Sequence, residues 1–411
     1  MNLPWEDKEK GMETQDKKEK IKEITEELHQ GIKNLFESNK YKTYLQTMSK
    51  FTNYSFNNSL LIALQRPDTM AVAGYRAWES KFDRHVKKGA KGIAIIEPAP
   101  YKKKVQEVVK DENGKPMVDE LGKEIMQEVE RVCEGYKVGY VFAFEDTYGA
   151  PLPEIVSILN EKVDNYETMM DVLKKISPVP ICFEEIHSGA NGYYHLETRS
   201  IHIDSRLPEL QAIKTTIHEM AHCLLHDKVI GEDMEATKFE REVCAESVAY
   251  TVASYLGLDT SEYSFGYIGG WSANKELKEL QQKMELIRKT ANVVITDIEK
   301  ELMTRKMDET EEVAFKNGTG YLLIQKSNEG FEYEKFDIKF NSITKSVFDD
   351  KQCSMNEAID KIMEVTETSR SLWSLYDANT LKEKTCNLEK QAEEKEKSIN
   401  SYDKPLKLSR R

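Results

Sequence analysis

The pattern of apolar and polar positions along the chain predicts several amphipathic helices. In these segments, apolar residues recur three or four positions apart, which is the spacing of one helix face. Such patterns predict helices at residues 21–50, 152–176, 207–225, 275–305 and 355–365. Each helix therefore has one face to bury against another element.

A second pattern, with a period of two residues, is typical of half-buried strands. It occurs at residues 193–196 and 200–204, which we interpret as a hairpin just before a predicted helix. It occurs again at residues 321–325 and 331–336, on either side of the turn Asn328-Glu329-Gly330. Because helices and strands share the chain, we expect an α+β fold.

The composition narrows the class of protein. The chain has 411 residues, 39% of them hydrophobic and 32% charged, with a formal net charge of −13. No apolar run approaches the roughly 20 residues that span a membrane, and no apolar signal-peptide core follows Met1. The six cysteines are scattered, without C-x-x-C pairs. We therefore expect a cytoplasmic protein with reduced thiols and no membrane partner.

The clearest chemical motif is His218-Glu219-Met220-Ala221-His222, an H-E-x-x-H sequence inside a predicted helix. Residues i and i+4 of a helix lie on one face, so the imidazoles of His218 and His222 can reach one zinc ion. Glu219 can hydrogen-bond a metal-bound water, which is the position of the general base in metallopeptidases. Because a bare H-E-x-x-H also arises by chance, two histidines on a solvated helix are the alternative interpretation.

The third metal ligand has to come from elsewhere in the chain. His226 continues the histidine face, but at ~1.5 Å per residue it lies about 12 Å along the axis from His218. Zn–N bonds of ~2.0–2.1 Å cannot bridge that distance. A metzincin motif would continue with Gly and His where Leu225 and Lys228 stand, so that class is rejected.

Two glutamates on a further predicted helix, an acidic one that ends at Leu256-Gly257, are better candidates. Glu242 and Glu246 stand four residues apart on one helical face, so one can bind the metal while the other orients a ligand histidine. The pattern Glu242-x-x-Ala245-Glu246 resembles the E-x-x-[AS]-[DEN] signature of gluzincins. That resemblance implies Glu242 as the ligand and Glu246 as the orienting carboxylate, and the reverse assignment stays open.

Residues 81–104 form a basic patch in this acidic chain, with eight Lys or Arg against two Asp or Glu. Tyr75, Trp78 and Phe82 accompany it. Lysine and arginine neutralise backbone phosphates, and flat aromatic rings stack on unpaired bases. The patch therefore predicts binding of single-stranded nucleic acid, with a solvated strand edge and core aromatics as the alternative.

Two stretches resemble the N-terminal domain of the ArdC-type anti-restriction proteins of mobile elements. One runs from Asn58 through Gly74-Tyr75-x-x-Trp78 and Lys87-Lys88-Gly89-x-Lys91-Gly92 to Pro98, and the other runs from Tyr140 to Pro153. In that family the domain binds single-stranded DNA (ssDNA), and a zincin-like metallopeptidase domain follows. The resemblance implies a DNA-binding surface that includes Tyr75, Arg76, Trp78, Arg84, Lys87, Lys88 and Lys91.

These observations predict five segments in the chain. They are a disordered tail (1–20), an α+β ssDNA-binding domain (21–153), a zincin-like, gluzincin-type metallopeptidase domain (154–305), a small α+β appendage (313–377) and a charged tail (378–411). A charged insert at residues 105–131, with a turn predicted at Asn113-Gly114, departs from the family pattern.

The function predicted from the sequence combines these parts. We expect an ssDNA-binding protein with a zinc-dependent metallopeptidase domain and an unidentified protein or peptide substrate. The resemblance implies a role in anti-restriction or DNA protection during conjugative transfer. One alternative is a non-catalytic protein that coats ssDNA and carries an inactive or structural zinc site. The other is a regulatory protease cued by DNA.

Overall fold

The protein is described here by a computed structural model. The structure describes residues 4–36, 38–110, 115–118, 122–150, 166–231, 233, 236–273, 275–366, 373–376 and 378–386. Helices and strands are mixed, which confirms the predicted α+β class. The chain forms two compact units, Met1–Ile298 and Glu299–Arg411. Within the described residues, we find no helix with the length and apolar character needed to cross a bilayer.

Three helices begin the first unit, namely α1 (Pro4–Leu35), α2 (Ser38–Ser49) and α3 (Phe56–Gln65). The helix predicted over residues 21–50 is present but is divided between α1 and α2. The prediction of disorder for residues 1–20 is wrong for residues 4–20, which belong to α1. That segment is rich in Lys and Glu, which favour helices. A segment with few apolar residues has no face to bury, but it can still form a helix.

The N-terminal region continues with short strands. They and the next helix are β1 (Val72–Gly74), α4 (Tyr75–Phe82), β2 (Arg84–Val86), β3 (Ile93–Pro98), β4 (Tyr101–Val108), β5 (Met126–Cys133), β6 (Tyr136–Ala143) and β7 (Thr147–Gly149). An antiparallel sheet has the order β1-β6-β3, while β2 pairs with β7 and β4 with β5. The described ends of the insert predicted at residues 105–131 thus belong to the β4–β5 ribbon. Its predicted turn at residues 113–114 lies outside the described residues.

Two amide side chains of α3 fix that helix to the edge of β3. The Asn58 side chain donates to the Ile96 carbonyl and accepts from the Ile96 N–H, both at 2.9 Å. Gln65 makes the same pair of bonds with Ala94, also at 2.9 Å. Such bonds satisfy backbone groups that an edge strand otherwise leaves open. Asn58, part of the family-like motif, therefore has a structural role here.

The rest of the first unit carries the H-E-x-x-H motif. Its elements are α5 (Tyr166–Ile176), β8 (Ile181–Glu184), β9 (Gly192–His195), β10 (Ser200–Asp204), α6 (Glu209–His226), α7 (Lys238–Tyr255), α8 (Ile268–Ser272) and the start of α9 (Leu277–Glu309). The predicted hairpin is confirmed, because β9 and β10 pair antiparallel. Strand β8 joins β10 in parallel, so β9 is an edge strand of this sheet. Residues 152–165 of a predicted helix lie outside the described residues.

Helices α2 and α3 pack on the helices that follow, so the segments predicted on either side of residues 153 and 154 share one compact unit. The hydroxyl groups of Tyr41 in α2 and Ser247 in α7 are hydrogen-bonded at 2.8 Å. Glu285 of α9 accepts from the backbone N–H of Phe56 at 2.6 Å, at the start of α3. The apolar face of α2, including the fully buried Leu45, packs largely on α7. A boundary inferred from motif order could not show this shared core.

The second unit contains an antiparallel sheet with a helix on one face. Its elements are β11 (Glu312–Asn317), β12 (Gly320–Ser327), β13 (Gly330–Asp337), β14 (Ser342–Phe348), α10 (Met355–Val365) and β15 (Ser374–Tyr376). The strand order is β14-β13-β12-β11-β15. Strands β12 and β13 confirm the two predicted strands around residues 328–330. Leu322 and Ile324 of β12 pack with Ile359 and Ile362 of α10, as the period of two requires.

Candidate metal centre and nucleic-acid surface

Helix α6 places the two histidines of the motif side by side. The helix begins after Pro208 and ends at Asp227, whose N–H still bonds to the Cys223 carbonyl. The rings of His218 and His222 meet edge to face with centroids 4.7 Å apart. Their Nε2 atoms are 3.0 Å apart. Two nitrogens bound to one tetrahedral zinc at ~2.0–2.1 Å would be separated by roughly 3.3 Å.

Helix α7 lies beside α6 and contributes two carboxylates. Glu242 Oε2 is 3.7 Å from Nε2 of His218 and 3.6 Å from Nε2 of His222. Glu246 Oε2 is instead 3.2 Å from Nδ1 of His218. Glu242 therefore faces the nitrogens that converge, while Glu246 contacts the opposite side of one ring.

The donor set suits a divalent metal ion. Potential ligand atoms of His218, His222 and Glu242 all lie within 4.8 Å of one another, and no other such group occurs among the described residues. Two imidazoles and one carboxylate facing a cleft are the protein ligands of many catalytic zinc sites, which keep a further position open. The roles of Glu242 and Glu246 stay a prediction, which the metal measurements proposed in the Discussion address.

The two carboxylates favour protonation of His218. Burial opposes a charge on His218, but the nearby carboxylates of Glu242 and Glu246 outweigh it and raise its pKa to about 10. The imidazoles of His218 and His222 beside Glu242 hold the pKa of its carboxyl well below its usual range. A metal ion competes with these protons for the same lone pairs. Metal affinity should therefore fall as the pH falls.

Glu219 lies between the two histidines in sequence and lines the same cleft. Its side chain is largely buried, and burial raises the pKa of its carboxyl, while the nearby His218 and His222 act in the opposite direction. The backbone of Tyr194 in β9 hydrogen-bonds to this carboxylate. A carboxylate with a raised pKa is a better proton acceptor near neutral pH.

Strand β9 forms one wall of the cleft and is anchored at Tyr194. The Tyr194 hydroxyl donates to Oδ2 of Asp227 at 2.5 Å, and Arg199 donates to both carboxylate oxygens of Asp227 at 3.2 Å. The Tyr194 bond is the main cause that lowers the pKa of Asp227 to about 2. A Cβ on Gly192 would lie 2.7 Å from Thr215 of α6, so glycine permits this close approach. The wall is thus fixed against the motif helix.

Some residues that line the cleft were not predicted as site residues by the sequence analysis. The cleft has a volume of about 920 Å³, and Lys214, Glu262 and Tyr263 line it together with the motif. Lys214 precedes His218 by four residues in α6. That i,i+4 spacing is the signal that could have identified Lys214, because it predicts a shared helix face.

The predicted DNA-binding residues fall into two groups. Tyr75, Arg76, Lys87, Lys88 and Lys91 are exposed, as binding requires. Exposed tyrosines that the prediction missed lie in the same region, at positions 136, 140 and 148. The positions 136 and 140 have the even spacing that places strand residues on one face, which is the signal that could have identified them.

Trp78 and Arg84 were predicted to bind DNA, but the structure places both in the core. Trp78 is 1% exposed, and its indole N–H donates to the Phe142 carbonyl at 2.9 Å. Arg84 is buried, donates to the Thr147 hydroxyl at 2.8 Å, and lies with its guanidinium 4.3 Å from the Phe144 ring centroid. Both side chains use an amphipathic body to tie a helix or strand to the sheet, so residue type alone misled the prediction.

Part of the basic patch is neutralised within the β4–β5 ribbon. Lys102 lies 3.4 Å from Glu130, and Lys104 lies 2.6 Å from Glu128. These pairs join neighbouring strands at the surface. The basic surface is therefore centred on residues 87–91 rather than spread evenly over residues 81–104.

The helix pair, the edge strand and the convergent donors together form one candidate metal centre. Family models match three successive parts of the chain. Residues 14–142 match the N-terminal domain of anti-restriction factor ArdC, and residues 141–249 match the "Putative metallopeptidase family (DUF6782)". Residues 308–398 match "Large polyvalent protein-associated domain 16". The predicted ArdC-type resemblance is confirmed: the match to the ArdC N-terminal domain comes first, and the match to a putative metallopeptidase family follows it directly.

Individual relatives are distant. The chain is 25% identical over 400 residues to the Bacillus anthracis protein described as "Uncharacterized protein pXO2-81", covering 89% of this chain and 63% of that protein. It thus spans less than two thirds of that relative's length.

Two crystal structures of the antirestriction ArdC protein from the R388 plasmid are also similar. The metal-free structure is 18% identical with a TM-score of 0.35, and the similarity covers 61% of this chain and 86% of that one. The Mn(II)-bound structure is 17% identical with a TM-score of 0.30, covering 62% and 86%. At scores this low, neither similarity bears on the metal or the mechanism of this protein.

Proposed function

We propose that this protein is a zinc-dependent metallopeptidase combined with an ssDNA-binding surface. We propose that it acts in the cytoplasm in anti-restriction or DNA protection during conjugative transfer. The observation that supports it most is the convergence of His218, His222 and Glu242 beside the buried carboxylate of Glu219. A structural metal site has no need for a proton acceptor at that position. The ArdC N-terminal domain supports the DNA-binding part.

In the proposed mechanism, His218, His222 and Glu242 hold the zinc ion. A bound zinc ion supplies Lewis-acid chemistry for hydrolysis of a peptide bond. Glu219 accepts a proton from the attacking water and donates it to the leaving amine. Tyr194 holds the Glu219 carboxylate through its backbone, and Glu246 orients the His218 ring. The edge strand β9 can pair with an extended substrate peptide.

The proposed DNA surface consists of Tyr75, Arg76, Lys87, Lys88 and Lys91. All five side chains are exposed, and they combine positive charge with one aromatic ring. Positive side chains contact backbone phosphates, and tyrosine stacks on a base without regard to sequence. This surface therefore suits ssDNA of varied sequence.

The decisive experiment replaces Glu219 by Gln and measures bound zinc together with peptide cleavage. We expect zinc to be retained and kcat to fall about 10²–10⁴-fold, the usual contribution of a general base. The exposed Glu209→Gln, in the first turn of the same helix, is the matched control and should leave both unchanged. Retained zinc with undiminished cleavage would remove Glu219 from the mechanism.

One alternative function has a specific observation in its favour. A protease regulated by DNA needs a connection between the two parts, and Tyr41 of α2 bonds to Ser247, the residue after Glu246. Cleavage measured with and without ssDNA separates this function from independent binding and catalysis. A non-catalytic ssDNA-coating protein would show neither cleavage nor an effect of Glu219→Gln.

A further inference from the structure

A lysine is buried in the wall of the proposed active-site cleft. The side chain of Lys214 is only 5% exposed, although it carries a charged amine. Its Nζ lies 3.1 Å from a carboxylate oxygen of Glu262 and 5.7 Å from the centre of the Tyr263 ring. An ammonium group taken out of water is costly unless a carboxylate accompanies it. Lys214 therefore needs an anionic partner at this position.

The partner that Lys214 has in this structure is unusually accessible. The side chain of Glu262 is 70% exposed, so the pair joins a buried cation to a carboxylate that reaches in from solvent. A carboxylate of this kind can return to water at little cost, because water solvates it well. Another carboxylate that enters the cleft can then take its place beside Lys214.

The loop that carries Glu262 is fixed independently of this ion pair. Lys42 of α2 donates to the backbone carbonyls of Thr260 and Tyr263, at 3.1 and 3.3 Å. The loop backbone is thus held from its other side. Release of the Glu262 side chain leaves the wall of the cleft in place.

The distance from the metal centre limits what can bind there. Lys214 precedes His218 by four residues, a rise of about 6 Å along α6. An extended peptide advances about 3.3 Å per residue. A carboxylate bound by Lys214 would therefore belong to a residue about two positions from the one held at the metal.

We propose that Lys214 forms a substrate subsite for a carboxylate, and that Glu262 occupies this subsite until substrate binds. The substrate class is a peptide with an acidic side chain, or a free C-terminal carboxylate, close to the cleaved bond. This inference rests on the proposed peptidase function and adds its specificity. Glu262 acts as an internal competitor that acidic substrates displace.

Binding of uncleaved peptides tests the subsite. The probes are blocked, alanine-rich hexapeptides with one Glu at each position in turn, compared with their Gln counterparts and with a free-acid and amidated pair. They are titrated into the full-length, zinc-loaded Glu219→Gln protein. At one or two positions, we expect the acid to bind about tenfold more tightly than its amide match, the strength of a charge-assisted hydrogen bond.

Two further substitutions in the same background identify the cause. Lys214→Met should abolish the preference, which also excludes direct binding of the acid to zinc. Glu262→Gln should tighten binding of acidic peptides, whereas a purely structural ion pair would weaken it. Lys238→Met, at the exposed rim of the cleft, is the matched control and should leave the preference unchanged. Equal affinity for acid and amide, or a preference that survives Lys214→Met, would overturn the proposal.

The outcomes separate this proposal from the proposed function. A Lys214-dependent preference in a protein that cleaves no peptide would refute only the peptidase activity. Cleavage without a preference for acidic residues would refute only the subsite.

Discussion

At the candidate metal centre, side chains from two adjacent helices converge on one point, whereas the basic residues of the N-terminal surface are spread over a helix and a loop. His218, His222 and Glu242 offer ligand atoms within 4.8 Å of one another. Lys87, Lys88 and Lys91 share only charge and exposure. A metal ion requires fixed bond lengths, but a phosphate backbone accepts positive charge in many arrangements.

This difference determines what a sequence can reveal. Side chains that converge from one helix must be three or four residues apart in the sequence. The four-residue intervals at 218–222 and 242–246 have this spacing. A basic surface requires no particular spacing in the sequence. Its residues can therefore be predicted only from their type. Trp78 and Arg84 have the right types for DNA binding, yet both are buried.

The largest expected effect concerns the third ligand. Glu242→Ala should weaken zinc binding by about 10³-fold or more, because it removes one of three protein ligands. Glu246→Ala, on the same helix, should weaken it only about 10–100-fold, as is usual for a residue that orients a ligand. Competition with a chelator at fixed pH measures both constants. A larger loss in the Glu246 variant would reverse the two roles.

A smaller effect is expected from Trp78→Phe, which tests the assignment of this residue to the core. Loss of the indole bond to the Phe142 carbonyl and of part of the buried volume should reduce the free energy of unfolding by about 2 kcal/mol. Affinity for ssDNA should stay the same at temperatures where the variant is folded. Urea unfolding and a DNA titration provide the two measurements. Unchanged stability together with weakened DNA binding would show that Trp78 contacts DNA.

The smallest expected effect is on DNA affinity when Lys87, Lys88 and Lys91 are all replaced by Ala. At 0.1 M salt, binding should weaken about tenfold, and the slope of log K against log salt should decrease in magnitude by about 1. The matched control replaces Lys102 and Lys104, whose charges are already paired with glutamates. An equal loss in the control would show that the DNA surface extends along the ribbon.

The sequence predicted the parts of the fold in which a period or a spacing has one structural solution. The helix with His218 and His222, the hairpin before it and the strands β12 and β13 are of this kind. Polar composition was misleading for residues 4–20, which are helical. The contact between Tyr41 and Ser247 joins residues more than 200 positions apart, and no local pattern encodes it.

Lys214 illustrates a further limit of sequence analysis. Its spacing from His218 predicts a shared face, but lysines on helices are usually solvated. Only the tertiary structure shows that the loop with Glu262 and Tyr263 covers it. The specificity of a site thus depends on elements that the motif does not contain.

The position of α2 has a practical consequence for experiments on this protein. Helix α7, which carries Glu242 and Glu246, packs against α2. Lys42 of α2 also supports the loop at residues 260–263. A truncated protein that starts after residue 165 would expose to water the apolar surface that α2 covers. It would also lose the contacts of Lys42 with the loop. Inactivity of such a fragment would say nothing about catalysis. A chimera between relatives should carry residues 38–65 along with the metal-binding half.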